Sequence, residues 1–204
     1  MNYKAVKNRC AVNLPSLILN LNLPPTYNKE AVLEILKNLG FIVVDVDLEA
    51  LARTFVGVST YKLKASMDEA PPVFDCSSFT KYLYAQKGVW LPRLSVQQKR
   101  ESVAADTPSP GDLVFTTGYR NFYDTDPREN IGHVGIATGA GTVIHATNGT
   151  GGVVESTYTD FNNHEPRGIR RILTPETFTL EQPNAEHLIE TSDDFRWLIL
   201  KNVY

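Results

Sequence analysis

The stretch FDCSSFTKYLYAQK, residues 74–87, places a cysteine at the start of a helix. The preceding residues 60–75 contain two adjacent prolines and are predicted to form a loop. From Cys76 to Lys87 the pattern is that of an amphipathic helix. One face of this helix carries Cys76, Phe79, Thr80 and Leu83, at positions i, i+3, i+4 and i+7. The pattern therefore predicts a helix that begins with a thiol and packs one face against a core.

Cys76 has the setting of a reactive thiol. The first turn of a helix has unbonded N–H groups and a partial positive charge, which favour the thiolate over the thiol. A buried structural cysteine on the apolar face is the alternative interpretation. The only other cysteine is Cys10. Two cysteines do not make a disulfide framework, so both thiols are predicted to be reduced.

Two histidines bracket a predicted β-hairpin formed by GHVGIATG (132–139) and VIHAT (143–147). Facing residues of an antiparallel pair have position numbers with a constant sum, and a turn near Gly139 or Ala140 gives 278 or 280. His133 and His145 add to 278, so they are opposite or diagonal on one face, about 5–8 Å apart. A cysteine, a base and a residue that orients the base are the parts of a nucleophilic site. A zinc site is the other chemical option, but the chain has no CxxC or HExxH spacing.

The order of elements is helices first and then antiparallel strands, which predicts an α+β fold. Residues 1–27 are expected to be irregular, and a helix is expected from Asn28. We expect an N-terminal extension over residues 1–47, a catalytic domain over 48–173 and an acidic C-terminal extension over 174–204. The polar segment 118–130 is expected to be a surface insertion that borders the substrate groove.

Six stretches stand in the order found in the NlpC-type cell-wall peptidases, a papain-like family of bacterial envelope hydrolases, and the chain resembles that family. They are FVGVSTY (55–61), FDCSSF (74–79), LPRLSVQQ (91–98), SPGDLVF (109–115), GHVGIATG (132–139) and VIHAT (143–147). The resemblance implies a papain-like domain with N-terminal helices packed on a central antiparallel β-sheet of about five strands. Because the cysteine precedes the histidines, the permuted acyltransferase relatives of this fold do not match.

The resemblance also implies roles for individual residues. Cys76 is expected to be the nucleophile, His133 the base and His145 the residue that orients the base. Tyr61 matches a family tyrosine that helps to bind the oxyanion together with a backbone N–H near Cys76.

A further set of residues is implied to bind substrate. Asp75, Ser77 and Ser95 match positions that hold the free amine and the glutamate of the substrate in some members. The implied substrate is a cell-wall peptide cut between γ-D-glutamate and a diamino acid. An amide or acyl transferase with the same triad, and a weakly catalytic module that binds wall peptides, are the alternatives.

The sequence departs from the family pattern in two places. The usual motif reads D-C-S-G-F, and Ser78 replaces its glycine. Two glycines usually follow the family tyrosine, whereas Lys62, Leu63 and Lys64 follow Tyr61 here.

Composition narrows the possible partners. The net charge of −3 gives no polybasic signature, so neither nucleic acid nor an anionic membrane is expected as a partner. No stretch has the roughly 20 apolar residues of a membrane span, and no cofactor or metal is predicted. The substrate class implies the cell envelope or secretion, but residues 11–23 contain a proline and three asparagines and are not typical of a signal peptide. His164 and His187 are expected to be surface residues.

Overall fold

The computed structural model describes residues 2–123, 125–184 and 186–204. The three remaining residues, one in each expected extension and one in the 118–130 segment, lie outside that description. The chain divides into two compact units. One comprises Met1–Val46, Tyr84–Trp90 and Thr174–Tyr204, and we call it the terminal unit. The other comprises Asp47–Leu83 and Leu91–Leu173, and we call it the central unit.

The secondary structure alternates between short helices and strands. The strands are β1 (Arg9–Asn13), β2 (Ile42–Val44), β3 (Thr60–Tyr61), β4 (Val73–Phe74), β5 (Val103–Ala105), β6 (Leu113–Thr116), β7 (His133–Ala137), β8 (Thr142–Thr147), β9 (Gly152–Thr157), β10 (Pro166–Arg171) and β11 (Thr177–Glu181). The helices are α1 (Leu14–Leu19), α2 (Lys29–Asn38), α3 (Leu48–Arg53), α4 (Cys76–Gln86), α5 (Ser95–Arg100), α6 (Tyr158–Phe161) and α7 (Asp194–Val203). A 3-10 turn covers Met67–Glu69.

The terminal unit contains a three-stranded sheet in the order β1–β11–β2. Strand β11 pairs antiparallel with both neighbours, so segments from the two ends of the chain share one sheet. The expectation that residues 1–27 are irregular was wrong, because this region forms β1 and α1. The predicted helix after Asn28 is confirmed, and the Asn28 side chain accepts a hydrogen bond from the Ala31 amide at 3.0 Å.

The central unit contains an eight-stranded sheet in the order β4–β3–β9–β8–β7–β6–β10–β5. All its pairings are antiparallel except that of β3 with β4, which is parallel. The mixed helix and sheet content confirms the α+β fold class. The sheet has more strands than the expected five, because short strands extend it at both ends: β3 and β4 at one end and β5 at the other.

Helix α4 is fixed by a cluster of aromatic rings in the central unit. Phe74 and Phe79 lie edge-on, with ring centroids 5.3 Å apart, and both are fully buried. Phe55 packs on both rings, and Tyr82 packs on Phe74 and Phe55. Burying such large side chains supplies a large share of the hydrophobic stabilisation and holds the start of α4 in place. Among the described residues, no helix is long and apolar enough to cross a membrane.

Candidate active site

His133 and His145 lie on one face of the β7–β8 hairpin, as the spacing predicted. The register pairs Ile136 with Ile144, which gives a constant sum of 280 and makes the two histidines diagonal neighbours. The His133 Nε2 and His145 Nδ1 atoms are 2.8 Å apart, within hydrogen-bond distance. Gly135 makes room for this contact, since a β-carbon there would lie 3.0 Å from the Cβ of His145.

The line of polar side chains continues onto the next strand. The other ring nitrogen of His145, Nε2, lies 2.9 Å from the hydroxyl oxygen of Ser156 on β9. Phe161, at the end of α6, covers both rings, with centroids 5.3 Å from that of His133 and 5.0 Å from that of His145. The sequence analysis missed both Ser156 and Phe161. Neither residue belongs to a stretch that resembles the family.

Burial keeps both imidazoles neutral. It lowers the pKa of His133 to about 3, and the charges of His145 and His164 act in the same direction. It also lowers the pKa of His145 to about 4. A neutral imidazole has one N–H and one bare nitrogen, and with Nε2 of His133 facing His145, Nδ1 is the nitrogen left for another partner.

Cys76 is a partly exposed free cysteine and the first residue of α4, as predicted. Burial is the main influence on its thiol and raises the pKa to about 12, and the charge of Asp75 raises it further. Hydrogen bonds from the backbone N–H groups of Val134 and Ser77 lower the pKa by a smaller amount. The helix start acts in the expected direction, because the Ser77 N–H lowers the pKa, but desolvation outweighs it.

Asp75 caps α4 and is held by an arginine. Its Oδ1 accepts the Ser78 amide at 2.7 Å, while the Ser78 hydroxyl accepts the Asp75 amide at 2.9 Å. Both carboxylate oxygens also accept from the two terminal nitrogens of Arg93, at 3.0 Å for the Oδ1 contact. Asp75 is buried, so Arg93 supplies the charge that compensates the carboxylate.

Arg93 is the main polar residue of the site that the sequence analysis did not single out. Its guanidinium also donates to the hydroxyl of Ser77 at 2.9 Å and to the carbonyl of Ala65 at 2.5 Å. Ser95 is the first residue of α5, and it is buried.

Tyr61 keeps its proton at neutral pH. Burial raises the pKa of its hydroxyl to about 12, and negative charge on Cys76 or Asp75 raises it further. The phenol of Tyr61 is therefore available as a hydrogen-bond donor close to the thiol.

A single cleft of about 1020 Å³ brings the predicted site residues together. Its lining includes Tyr61, Asp75, Cys76, Ser77, Ser95, His133 and His145. Arg93 also lines the cleft. The 118–130 segment borders the cleft as expected, through Gly118, Tyr119, Arg120 and Phe122. His164 is exposed as predicted, but it also lines the cleft. Among the described residues, no group of three or more His, Cys, Asp or Glu side chains could hold a metal ion.

Comparison with known proteins assigns the chain to a family. The family model described as the NlpC/P60 family matches residues 59–171, more than half of the chain. A solved structure of an NlpC/P60 family protein from Bacillus cereus is 29% identical, with a TM-score of 0.52, over 63% of this chain and 40% of that one. The chain belongs to the NlpC/P60 family, and its central unit has the papain-like fold of that family.

Two curated relatives carry names that describe an activity. A probable endopeptidase p60 of Listeria seeligeri is 42% identical over 78 residues, which are 37% of this chain and 13% of that protein. A gamma-DL-glutamyl hydrolase of Bacillus subtilis is 32% identical over 130 residues, which are 62% of this chain and 29% of that protein. The chain thus spans less than a third of the length of either relative.

Proposed function

We propose that the chain is a cysteine peptidase that hydrolyses peptidoglycan peptides at the bond between γ-D-glutamate and a diamino acid. The hydrogen bond between His133 and His145, in the same cleft as Cys76, is the observation that carries the proposal. A cysteine nucleophile needs a base, and the base needs a partner that fixes its tautomer. The names of the curated relatives, an endopeptidase and a glutamyl hydrolase, support the reaction class and the glutamyl bond.

The first step is attack of the Cys76 sulfur on the substrate carbonyl carbon. Because burial keeps the thiol protonated and His133 neutral, the proton moves from sulfur to Nδ1 of His133 as the new C–S bond forms. His133 then carries two N–H groups, and the one on Nε2 donates to His145. This order of steps avoids a permanent ion pair between a Cys76 thiolate and a protonated His133, which desolvation in a buried site disfavours.

The tetrahedral intermediate carries its negative charge on the former carbonyl oxygen. We expect the phenol of Tyr61, which lines the cleft and keeps its proton, to donate to that oxygen together with a backbone N–H at the start of α4. Collapse breaks the C–N bond, and His133 returns its proton to the leaving amine. Water then attacks the thioester with the same base, which releases the acid and restores the thiol.

Substrate recognition is assigned to the polar end of the cleft. The hydroxyls of Ser77 and Ser95 suit the free carboxylate of a γ-linked glutamate. The positive charge of Arg93 attracts that carboxylate, while its four terminal N–H groups already donate to Asp75, Ser77 and Ala65. Asp75 lies beside Arg93 and suits the amine of the preceding residue. Its contacts with Arg93 and Ser78 orient the Asp75 carboxylate. We expect the carboxylate to accept a further hydrogen bond from the substrate ammonium group.

The test is incubation with defined wall peptides, followed by mass spectrometry of the products. L-Ala-γ-D-Glu-diaminopimelate and its L-Lys counterpart should each yield a dipeptide and a free diamino acid. Cys76→Ala is the matched control and should leave both peptides intact. Peptides that stay intact with the active chain would refute the proposal. A dipeptide joined to an added amine, in place of the hydrolysed product, would instead identify a transferase.

A further inference from the structure

The two histidines and Ser156 form a continuous hydrogen-bonded line across three neighbouring strands. On β8, His145 pairs with Val154 of β9, so Ser156 is its diagonal neighbour on the same face. The line runs from His133 Nε2 to His145 Nδ1 over 2.8 Å, and from His145 Nε2 to the Ser156 hydroxyl over 2.9 Å. Both nitrogens of His145 are therefore engaged inside the protein.

We propose that Ser156 is a positioning residue that fixes the tautomers of both histidines. This inference rests on the proposed function, since it concerns the base of the same reaction. Ser156 touches neither the thiol nor the substrate in this scheme, and it acts through His145.

The argument follows from the number of protons on each ring. For His133 to accept the thiol proton at Nδ1, its single proton must be on Nε2, which then donates to Nδ1 of His145. His145 must in turn carry its proton on Nε2, which needs an acceptor. The hydroxyl oxygen of Ser156 is that acceptor.

The reverse arrangement would disable the site. If His145 carried its proton on Nδ1, it would donate to His133 and place the proton of His133 on Nδ1. That nitrogen could no longer accept a proton from Cys76. A serine hydroxyl can also donate, but a Ser156 that donates to His145 Nε2 selects this unproductive arrangement, so the productive one requires Ser156 to accept. Only one arrangement fits the doubly protonated His133 that follows proton transfer, and in that state Ser156 must accept.

Burial of the imidazole rings limits how readily water replaces Ser156, which is itself partly exposed. His145 is 7% exposed, and Phe161, which covers both rings, is 3% exposed. A buried N–H without a partner is costly, so loss of the hydroxyl shifts His145 toward the unproductive tautomer. The groups whose charge bears on His133 are His145 and His164, and Cys76 lies in the same cleft.

The experiment combines Ser156→Ala with Ser156→Thr, which keeps a hydroxyl, and Ser102→Ala, which removes a hydroxyl that bonds backbone carbonyls of α5. The first readout is the ¹⁵N NMR spectrum of the histidine rings, which distinguishes the tautomers directly. In the unmodified chain, both His133 and His145 should carry the proton on Nε2. Ser156→Ala should give His145 mixed or Nδ1 protonation, and Ser102→Ala should leave the spectrum unchanged.

The second readout is the rate at which iodoacetamide alkylates Cys76 at pH 7, which needs no peptide substrate. Ser156→Ala should slow alkylation by about tenfold, less than the roughly 10² to 10⁴ that a general base typically contributes, and Ser156→Thr should restore much of the rate. A resting His145 protonated on Nδ1 in the unmodified chain would overturn the inference. So would unchanged tautomers and alkylation in a folded Ser156→Ala variant. If tautomers and alkylation respond as expected but no wall peptide is cleaved, the proposed function fails and the role of Ser156 stands. If Ser156→Ala does not fold, the spectrum of the unmodified chain and the Ser156→Thr variant still decide.

Discussion

Asp75 and Ser78 hydrogen-bond to each other in both directions across the first turn of α4. The Ser78 amide donates to Asp75 Oδ1, and the Asp75 amide donates to the Ser78 hydroxyl. This reciprocal cap satisfies two backbone donors at the start of the helix that carries Cys76. Ser78 is the residue that departs from the family motif D-C-S-G-F, so the departure adds a helix cap next to the proposed nucleophile.

Removing this cap should lower stability more than activity. Ser78→Ala loses the hydroxyl that accepts the Asp75 amide, and we expect the free energy of unfolding to fall by about 1 kcal/mol. Ser78→Gly should cost about 1 kcal/mol more, because glycine is a poor helix former. Urea unfolding of the three proteins measures the series. Equal stability of the alanine variant and the unmodified chain would show that the cap contributes nothing.

His133 and His145 should not tolerate substitution equally. Asparagine at position 145 places an amide oxygen near the place of Nδ1 and can still accept from His133 Nε2. His145→Asn should therefore keep measurable peptide cleavage. His133→Asn removes the proposed acceptor of the thiol proton, so the rate should fall by about 10² to 10⁴. Steady-state rates on one peptide compare the two variants, and the reverse order would mean that the two roles are exchanged.

The sequence predicts the contacts of this site between residues that are close in the chain better than those between distant residues. The pairing of His133 with His145 follows from a short hairpin, where the turn sets the register and position numbers alone place both rings on one face. Ser156 is also on a neighbouring strand, but the turn between β8 and β9, residues 148–151, has two glycines and does not fix the register by position numbers alone. Arg93 is 18 residues from Asp75, and helix α4 lies between them in the chain, so no periodicity indicates their contact.

In the terminal unit as well, the sequence predicts local structure but misses the pairing of distant segments. The cap at Asn28 is a local signal, and α2 begins where that signal predicts. Strand β1 was missed because its partner β11 lies at the other end of the chain. Such pairing is decided by tertiary packing, which local propensity does not describe.

Stability should fall as the pH drops below about 6.5. The pKa values of His133 and His145 in the folded chain, about 3 and about 4, lie below the ordinary value of about 6.5 in the unfolded chain. Between those values the unfolded state binds protons that the folded state does not. Each histidine therefore lowers the free energy of unfolding by up to ~1.4 kcal/mol for each pH unit of acidification. Urea unfolding at pH 7, 6 and 5 avoids the range in which most carboxylates titrate. The double variant His133→Asn, His145→Asn should show a smaller loss of stability between pH 7 and pH 5. An equally steep slope in the double variant would contradict the assignment.

Iodoacetamide should label the two cysteines of the folded chain differently. Cys10 is 2% exposed in the terminal unit, and burial, aided by the charge of Asp194, raises the pKa of its thiol to about 12. Cys76 is partly exposed in the cleft, so alkylation at pH 7 should be confined to Cys76 and should abolish cleavage. Because the pKa of Cys76 is also raised, the labelling rate should increase steadily above pH 7. Peptide mass spectrometry locates the label, and Cys10 should react only after unfolding. A rate already at its plateau at pH 6 would indicate a preformed thiolate instead.

The substrate should carry a free N-terminal amine, because the buried carboxylate of Asp75 faces the cleft beside Arg93. A carboxylate held by a guanidinium retains acceptor capacity, and an ammonium group nearby would form a charge-assisted hydrogen bond. L-Ala-γ-D-Glu-diaminopimelate should therefore be cleaved much faster than the same peptide with an acetylated amine.

Asp75→Asn removes the charge that attracts the amine and should narrow the ratio of the two kcat/KM values. The cap at the Ser78 amide needs only an oxygen, which asparagine keeps, so the fold should survive. Ser95→Ala is the matched variant, because it should weaken both peptides alike by removing a hydroxyl proposed to bind the glutamate carboxylate, and it leaves the pair of Asp75 and Arg93 intact. If intact peptidoglycan or the acetylated peptide is cut as fast as the free peptide, Asp75 serves α4 and Arg93 only, and the site does not select for an amine.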